Sequence, residues 1–368
     1  MTERAVVVGA GVSGLSVALA LLRRGERVTV LERGETGGES SWAGGGILSP
    51  LLPWDYPEPV ASLALHSMAM YADWVAEIEA LSGVDAEFWR CGMLASEVAV
   101  PDQALAWCAE HGMAAMRSCP LRLPAPLDAY KENQLWLPDI AQVRNPRLVA
   151  SLRAAVLRLG GEVHEHCLAT GVQTRQARVT EVRTDAGDFP ADNVILAAGA
   201  WGGLSLTGIV PVPNIRPIRG QMLLFKPAAG VLDTILYRNG LYLIPRRDGH
   251  ILVGSTLEDA GFDKTTDDAT RQRLHGEAAE LLPALAGLEP VRHWAGLRPG
   301  SPGNVPVIDR HPDFDNVFVN AGHYRYGVTM APASAALLVD LMEGNTSALD
   351  PAPYRWEAAL ARHWGGAL

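Results

Sequence analysis

The stretch AVVVGAGVSGLSVALALLRRGERVTVLE, residues 5–32, decides the fold of this chain. It opens with a run of valines, and the glycine-rich turn GAGVSG follows at 9–14. A segment of helical character then continues to Arg24, and a second valine-rich run at 28–31 ends on Glu32. This order of strand, glycine turn, helix, strand and acid predicts the first βαβ unit of a Rossmann-type parallel sheet.

Each glycine of this turn has a mechanical role when a dinucleotide binds. Gly9 permits the tight turn, Gly11 lets the backbone approach a pyrophosphate, and Gly14 lets the helix pack closely on the strand. The helix N-terminus offers unpaired N–H groups and the positive end of its dipole to the phosphates. Glu32 lies 18 residues after Gly14 and would accept hydrogen bonds from a ribose. An acid there repels a 2′-phosphate, so NADP is disfavoured.

The composition excludes several other classes of protein. Residues 5–22 carry no charge, but the strand, turn and helix within them argue against a signal peptide or membrane span, so we expect no membrane association. The 368 residues are 48% hydrophobic and 20% charged, as in a soluble globular protein of about two domains. The net charge of −10 offers nucleic acid little attraction, so we expect no such partner.

The cysteines indicate a reduced compartment and no metal centre. None of the four cysteines, at positions 91, 108, 119 and 167, belongs to a C-x-x-C pair or a Cys/His ligand set. A structural zinc and a disulfide framework are therefore both disfavoured. Four scattered thiols in a chain of this length predict a cytoplasmic protein.

A second glycine- and serine-rich stretch, GGESSWAGGGI at 37–47, favours FAD over NAD as the dinucleotide. Its serine hydroxyls and accessible backbone suit the ribityl chain and ring of a flavin, whereas an NAD dehydrogenase normally continues here with a plain helix and strand. A surface loop without a role is the alternative. Later, the run VILAAGAW at 194–201 repeats a strand leading into a glycine turn, which adds Ala198 and Gly199 to the predicted cofactor site.

The rest of the chain predicts that this fold is interrupted and then resumed. Asn145-Pro146 indicates a helix start, with the asparagine as N-cap and the proline in the first turn. Short antiparallel strands are expected at 218–225, 234–237, 241–245 and 251–253. We therefore predict an α/β fold: a Rossmann-type FAD-binding domain interleaved with an antiparallel-sheet (α+β) substrate domain, with the ligand between them.

The predicted boundaries follow from this interruption. The FAD-binding domain is expected to be discontinuous and to comprise residues 1–85, 140–215 and 290–368. The substrate-binding domain is expected to comprise 86–139 and 216–289.

Six motifs spread along the chain resemble flavin-dependent amine oxidases of the D-amino-acid-oxidase and sarcosine-oxidase type. They are GAGVSG with Glu32, SSWAGGG at 40–46, RGQM at 219–222, YLIPR at 242–246, WAGLRP at 294–299 and GHYRYG at 322–327. The resemblance implies oxidative deamination of glycine, or of small amines such as sarcosine or D-alanine, by hydride transfer to FAD. The products would be the imine or glyoxylate, ammonia and hydrogen peroxide, and the imine could supply thiazole synthesis for thiamine.

The same resemblance implies roles for individual residues. Arg298 and Arg325 would hold the substrate carboxylate, and Tyr242 would add its hydroxyl. The flavin-contacting positions would be Val12, Ser13, Glu32, Arg33, Ser40, Ser41, Gly45, Gly46, Ile47 and Ala169, with the segment His323, Tyr324, Arg325, Tyr326, Gly327, Val328 and Thr329 under the ring. No cysteine follows Cys167, so the covalent tether of sarcosine oxidases is unavailable and FAD should bind non-covalently. The resemblance also implies that molecular oxygen accepts the electrons and that the protein is a homo-oligomer.

An amino-acid substrate explains why arginines matter in such a site. A guanidinium binds a carboxylate through two parallel hydrogen bonds and keeps its charge, which a lysine does not match. Arg298 could instead be an ordinary ion-paired arginine, Arg325 could stack on its tyrosine neighbours, and Tyr242 could be a core residue. His66 and His323 are candidate acid–base groups, but histidines of this kind are more often packed or hydrogen bonded than catalytic.

Two other functions stay open from the sequence. The first is a dehydrogenase for a D-amino acid or N-substituted glycine that passes electrons to an acceptor other than oxygen. The second is a flavin-binding module without turnover. The proline-rich segment 50–59 could act as a lid or as an oligomer contact.

Overall fold

The computed structural model describes residues 3–117, 119, 133–204 and 206–365. Its helices are α1 (Val12–Arg23), α2 (Ser40–Ala43), α3 (Glu58–Ser82), α4 (Pro101–Glu110), α5 (Asn145–Arg158), α6 (Asp268–Leu281), α7 (Gly327–Glu343) and α8 (Trp356–Ala361). Its strands are β1 (Arg4–Val8), β2 (Arg27–Leu31), β3 (Ile47–Leu48), β4 (Trp89–Arg90), β5 (Met93–Ser96), β6 (Leu135–Leu137), β7 (Ala141–Gln142), β8 (Glu162–His164), β9 (Ala169–Arg175), β10 (Arg178–Thr184), β11 (Gly187–Pro190), β12 (Asn193–Leu196), β13 (Arg216–Phe225), β14 (Ile235–Arg238), β15 (Leu241–Pro245), β16 (Ile251–Gly254), β17 (Arg292–Gly300), β18 (Val307–Arg310) and β19 (Val317–Ala321).

The N-terminal βαβ unit forms as predicted. β1 and β2 pair in parallel over their full length, and α1 crosses between them. Both strands are rich in buried valine, because a parallel sheet covered on both faces selects continuous β-branched runs. The helix begins earlier than predicted, because α1 starts at Val12, within the glycine-rich turn, and not after it.

A six-stranded sheet extends this unit in the order β18-β19-β12-β1-β2-β8. All neighbours are parallel except β18, which pairs antiparallel with β19. Residues from α1, α3, α5 and α7 join the sheet in one hydrophobic core. The carboxyl ends of β1, β2, β12 and β19 therefore lie along one edge, and the segments that follow them build the site described below.

A seven-stranded sheet forms the second part of the fold, in the order β17-β13-β16-β15-β14-β5-β6. Its pairings are antiparallel except for β14 with β5, which are parallel. Helix α6 packs on this sheet and shares its apolar core. The prediction of an α/β fold with a Rossmann-type domain and a largely antiparallel sheet is confirmed.

Two details differ from the sequence-based expectations. β17 hydrogen bonds along its length to β13, although the predicted boundary at 290 assigns it to the FAD-binding domain. We therefore propose that the last boundary lies near residue 300, because the chain completes the sheet before it returns to the Rossmann part. Asn145 is the first residue of α5, and Arg144 takes the N-cap position without a side-chain cap, so the prediction that Asn145 is the cap is wrong. Of the predicted segment 86–139, residues 118 and 120–132 lie outside the described residues.

Candidate active site

A cavity of about 1400 Å³ runs along the carboxyl edge of the six-stranded sheet and reaches the seven-stranded sheet. Its volume exceeds the roughly 300–1,000 Å³ of an ordinary ligand pocket, which leaves room for a large cofactor beside a small substrate. Gly14 is the one predicted site residue that does not line this cavity. The predicted residues that do line it are Gly9, Gly11, Val12, Ser13, Glu32, Arg33, Ser40, Ser41, Gly45, Gly46, Ile47, Ala169, Ala198, Gly199, Tyr242, Arg298 and 323–329.

The glycine turn brings backbone against the cavity. Gly9 has φ +110°, and a Cβ there would lie 2.4 Å from the carbonyl oxygen of Ala197. A Cβ on Gly14 would lie 1.9 Å from the Gly9 carbonyl oxygen, so helix and strand pack directly on each other. A Cβ on Gly11 would meet nothing closer than Ser41 Oγ, at 3.0 Å, and Gly11 faces the cavity. Gly9 and Gly14 therefore shape the turn, whereas Gly11 leaves space for a ligand.

Glu32 links the end of β2 to this turn. Its carboxylate accepts hydrogen bonds from the N–H of Ala10 at 2.9 Å and from the N–H of Gly34 at 3.0 Å. Both bonds orient the carboxylate at the cavity wall. A carboxylate can accept about four hydrogen bonds, so this one keeps acceptor capacity for a ligand hydroxyl.

The serine–glycine stretch forms a further part of the cavity wall, next to the glycine turn. Ser41 Oγ accepts a hydrogen bond from the N–H of Val12 at 2.9 Å, which ties this stretch to the start of α1. Gly46 has φ +76°, and a Cβ there would lie 2.2 Å from the Val143 carbonyl oxygen. A Cβ on Gly45 would lie 3.2 Å from Tyr242 Cε2. Close packing behind the loop explains why glycines occur here.

Asn145 is a cavity residue whose role the sequence did not reveal. Its side chain is buried, and neither amide atom has a hydrogen-bond partner among the described residues. It lines the cavity beside Gly44 and Gly46. A buried amide without partners costs free energy, so Asn145 is suited to hydrogen bond a bound ligand. The Asn-Pro pair was visible in the sequence but indicated only a helix start.

Arg33 and Trp201 close the cavity near the first strands. The Arg33 guanidinium lies 3.4 Å from the centroid of the Trp201 ring, and its Nη2 donates to Glu39 at 2.7 Å. Lys264, from the loop after β16, pairs with the same carboxylate at 3.0 Å. A loop of the seven-stranded sheet thus reaches the Rossmann part across this end of the cavity. The sequence indicated Arg33 but not Trp201 or Lys264.

Arg298 lies on β17, where the seven-stranded sheet meets the cavity. Its Nη2 donates to Ser255 Oγ at 2.6 Å, and its Nη1 donates to the Thr256 carbonyl at 3.1 Å. A Cβ on Gly220 would lie only 2.1 Å from Nη1, so the guanidinium lies over that glycine. No carboxylate of the described residues forms an ion pair with Arg298. This oriented cation is therefore free to bind an anion in the cavity.

Tyr242 lies on β15 of the same sheet, with β13 and β16 between its strand and that of Arg298. Its side chain is only 8% exposed, and a Cβ on Gly254 would lie 3.1 Å from its hydroxyl oxygen. The ring is therefore held between Gly254 and Gly45, one from each part of the fold. Tyr242 lines the cavity, where its hydroxyl can donate to a ligand.

Arg325 and His323 follow β19 and also line the cavity. The Arg325 guanidinium lies 5.4 Å from the Tyr324 ring centroid, and its Nε is buried without a partner among the described residues. His323 is fully buried, which lowers its pKa to about 4. The imidazole is therefore neutral near pH 7, and protonated histidine plays no part in binding there. His66 lies on α3 and is not among the residues that line this cavity.

A flavin dinucleotide fits these residues. The glycine turn and the start of α1 suit a pyrophosphate, and the orphaned amide of Asn145 suits a polar ring edge. At the far end, apolar side chains of Leu168, Leu204 and Val210 line the cavity and are 45–52% exposed, as an adenine-binding wall would be. Gly199 has φ +55° and no atom within 4 Å of a Cβ position, so it faces open space.

The described part of the chain offers neither a metal-binding cluster nor a membrane-spanning helix. No group of three or more His, Cys, Asp or Glu side chains that could hold a metal ion occurs there. Among its helices, none combines the length and apolar character needed to cross a membrane. The cysteines at positions 91, 108 and 167 are thiols outside any disulfide, and burial raises the pKa of Cys108 to about 11.

Comparison with known proteins agrees with the geometry of the site. A family model described as FAD-dependent oxidoreductase matches residues 4–341. The chain therefore belongs to the family of FAD-dependent oxidoreductases, and the predicted resemblance to the D-amino-acid-oxidase type is confirmed. FAD is accordingly the cofactor of the fold.

Within this family, the chain is similar to several glycine oxidases. The chain is 45% identical to the glycine oxidase of Pseudomonas aeruginosa, over 96% of this chain and 98% of that protein. It is 44% identical to the glycine oxidase of Pseudomonas putida, over 98% of this chain and all of that protein. A bifunctional ThiO/ThiG protein of Synechocystis is 33% identical over 93% of this chain, which corresponds to 52% of that longer protein.

A solved structure shows the same architecture. The crystal structure of glycine oxidase from Geobacillus kaustophilus superposes with a TM-score of 0.89 at 26% identity, covering 99% of this chain and all of the other. The L-proline dehydrogenase of P. horikoshii, at 22% identity and a TM-score of 0.83, shares the fold.

Proposed function

We propose that this protein is an FAD-dependent oxidase that deaminates glycine and comparably small amines such as sarcosine and D-alanine. The observation that carries the proposal is Arg298, a guanidinium that has no carboxylate partner among the described residues and is held at the cavity by Ser255 and Thr256. An α-amino acid is a small ligand whose fixed anionic end fits such a cation. The glycine oxidases among the full-length relatives support the same substrate class.

Arg298 would bind the substrate carboxylate through its outward N–H groups, while its contacts to Ser255 and Thr256 hold the guanidinium in one orientation. Tyr242 would donate its hydroxyl to the same carboxylate. Arg325, which lines the same cavity, would add a second positive charge. Together they would fix the position of Cα, and orientation of this kind accounts for much of the rate in reactions of bound substrates.

FAD supplies the two-electron acceptor when it is bound. Val12 and Ser13, at the start of α1, would face its phosphates, and Glu32 would accept from a ribose hydroxyl. Ser40, Ser41 and the two glycines Gly45 and Gly46 would contact the ribityl chain and ring. The predicted positions Ile47, Ala169, Ala198 and 323–329 would complete the contacts, all without a covalent link.

No acid–base side chain is required in this arrangement. The buried His323 is uncharged near pH 7 because its pKa is about 4. The substrate amine would lose its proton to water on binding, since the cationic Arg298 and Arg325 in the cavity disfavour an ammonium group.

The products would be the imine, which water converts to glyoxylate and ammonia, and hydrogen peroxide from oxygen. The relationship to a ThiO/ThiG protein supports a role in providing glycine imine for the thiazole of thiamine. A homo-oligomeric, cytoplasmic enzyme is part of the same proposal.

An anaerobic titration followed by readmission of oxygen tests the proposed function. The purified yellow protein is mixed with glycine, sarcosine, D-alanine or a larger D-amino acid, and the loss of visible flavin absorbance is recorded. We expect the small amines to bleach it, and we expect oxygen to restore the colour with one peroxide formed per glyoxylate. Bleaching that only an artificial acceptor reverses would identify a dehydrogenase. A colour that no amine bleaches would identify a flavin-binding module.

A further inference from the structure

A buried arginine lies directly behind the loop that contacts the cofactor site. Arg246 follows β15 and is only 8% exposed. Its Nη2 donates to the Gly45 carbonyl at 2.7 Å, and Gly45 itself forms the cavity wall. Its Nη1 donates to the Gln142 side-chain oxygen at 2.7 Å and to the Val143 carbonyl at 2.9 Å. All these acceptors are neutral.

The charges around Arg246 do not cancel. The nearest carboxylates are Glu87 and Asp248, and both are already paired with other arginines. Arg144 lies 3.2 Å from Glu87 and 2.8 Å from Asp248, and Arg147 lies 2.9 Å from Glu87. Three guanidinium groups thus face two carboxylates, which leaves an excess of one positive charge. Burial lowers the pKa of Arg246 to about 10, so the side chain still carries its charge near pH 7.

This charge lies close to any ring bound against the loop. The Arg246 guanidinium contacts the carbonyl oxygen of Gly45, and Gly45 itself lines the cavity, so only the backbone of this loop lies between the charge and the cavity. Solvent screens a buried charge weakly in such a place. We propose that Arg246 is a positioning residue for the Gly45 loop and that its charge raises the reduction potential of the bound FAD.

The physical reason is the charge balance of the reaction. Uptake of two electrons and one proton by the cofactor leaves one additional negative charge in the cavity. The electrons come from the carbon–hydrogen bond of the amine, and the second proton goes to solvent. A fixed cation behind the loop favours the more negative state, as a preorganised charge does where charge develops. The inference rests on the cofactor and not on the identity of the substrate.

The test measures the midpoint potential of the holoprotein against redox dyes, without substrate. Arg246→Met removes the charge, and Arg246→Lys keeps it with poorer hydrogen bonding. Gln142→Glu leaves Arg246 in place but adds a carboxylate at the 2.7 Å contact. Arg247→Met is the matched control, because it removes an exposed cation one residue further along. The dissociation constant of FAD is measured for each variant.

We expect Arg246→Met and Gln142→Glu to lower the potential by about 30 mV or more, which corresponds to a tenfold change in a two-electron equilibrium. Arg246→Lys should lie closer to the parent potential while binding FAD more weakly, and Arg247→Met should match the parent in both. If Arg246→Met fails to retain FAD, Gln142→Glu decides the question. Equal potentials in the parent and Gln142→Glu, or in the Lys and Met variants, would overturn the electrostatic role.

Discussion

The N-terminal βαβ unit and the seven-stranded sheet line the same cavity but assemble their parts of it differently. In the βαβ unit, the residues that shape the site lie within 9–32 and are set by local backbone geometry. In the sheet, Arg298 depends on Gly220 of β13 and on Ser255 and Thr256 after β16. The first site lies largely within one short segment, with outside contacts to Ala197 and Ser41, whereas the second exists only when three distant segments pair in register.

The two regions also differ in what surrounds their glycines. A Cβ on Gly14 would meet a backbone oxygen, which cannot move without shifting a strand. A Cβ on Gly220 would meet the end of the Arg298 side chain, which can rotate away. We therefore expect substitutions in the first region to affect folding and FAD binding, and substitutions in the second to affect substrate binding alone.

The largest effect is expected from Arg298→Met, which would break the proposed site in the sheet but leave the βαβ unit intact. Truncating a buried charge partner costs about 2–5 kcal/mol, so kcat/KM for glycine should fall roughly 30- to 4000-fold. The flavin absorbance and FAD affinity should stay unchanged. Arg292→Ala, an exposed residue on the same strand, is the control. A loss of less than threefold in the Arg298 variant would contradict the assignment.

His323 allows a test of the six-stranded side through pH. The unfolded chain binds the imidazole proton near pH 6.5, while the folded one does so only near its pKa of about 4. The free energy of unfolding therefore falls as the pH drops from 6.5 to 4, by about 3 kcal/mol. Above pH 6.5 the imidazole is neutral in both the folded and the unfolded chain, so His323 causes no loss of stability there. Urea unfolding of the apoprotein should show a steeper acid decline for the parent than for His323→Asn, and equal slopes would refute the prediction.

Gly14→Ala tests whether the local geometry of the βαβ unit is indispensable. Its methyl group would lie 1.9 Å from the Gly9 carbonyl oxygen, so we expect a loss of about 1–3 kcal/mol in unfolding free energy and weaker FAD binding. Gly276→Ala in α6 is the matched control, because nothing lies within 4 Å of its Cβ position. That change should stabilise the protein by about 0.5–1 kcal/mol. Similar values for the two variants would remove the distinction between the regions.

The smallest effect is expected from Gly220→Ala, which would displace the Arg298 guanidinium without removing it. We expect KM for glycine to rise about tenfold, corresponding to 1.4 kcal/mol, with kcat and the FAD dissociation constant little changed. Thermal unfolding should stay within a few degrees of the parent. A large loss of stability with unchanged KM would instead assign Gly220 to the core.

The two regions also differ in how many of their structural elements and site residues could be predicted from the sequence. The predicted fold class, the FAD family and most strands and helices are confirmed, because valine runs, glycine turns and Pro-containing helix starts are local signals. The predicted Arg298 and Tyr242 line one cavity with the cofactor positions. The supporting contacts of Ser255, Thr256 and Trp201 were missed, as was the orphaned amide of Asn145, because no spacing in the sequence links them to their partners.

Residues 5–32 are enough to predict the dinucleotide-binding βαβ unit, since the signals for its strands, turn and helix are local. Which guanidinium groups line the cavity and which are buried behind it could be read only from the packing of distant segments. Arg298 is aimed into the cavity and Arg246 is buried behind it because strand register and crossover connections place them there. Those placements depend on residues many positions apart, whose proximity no local pattern encodes.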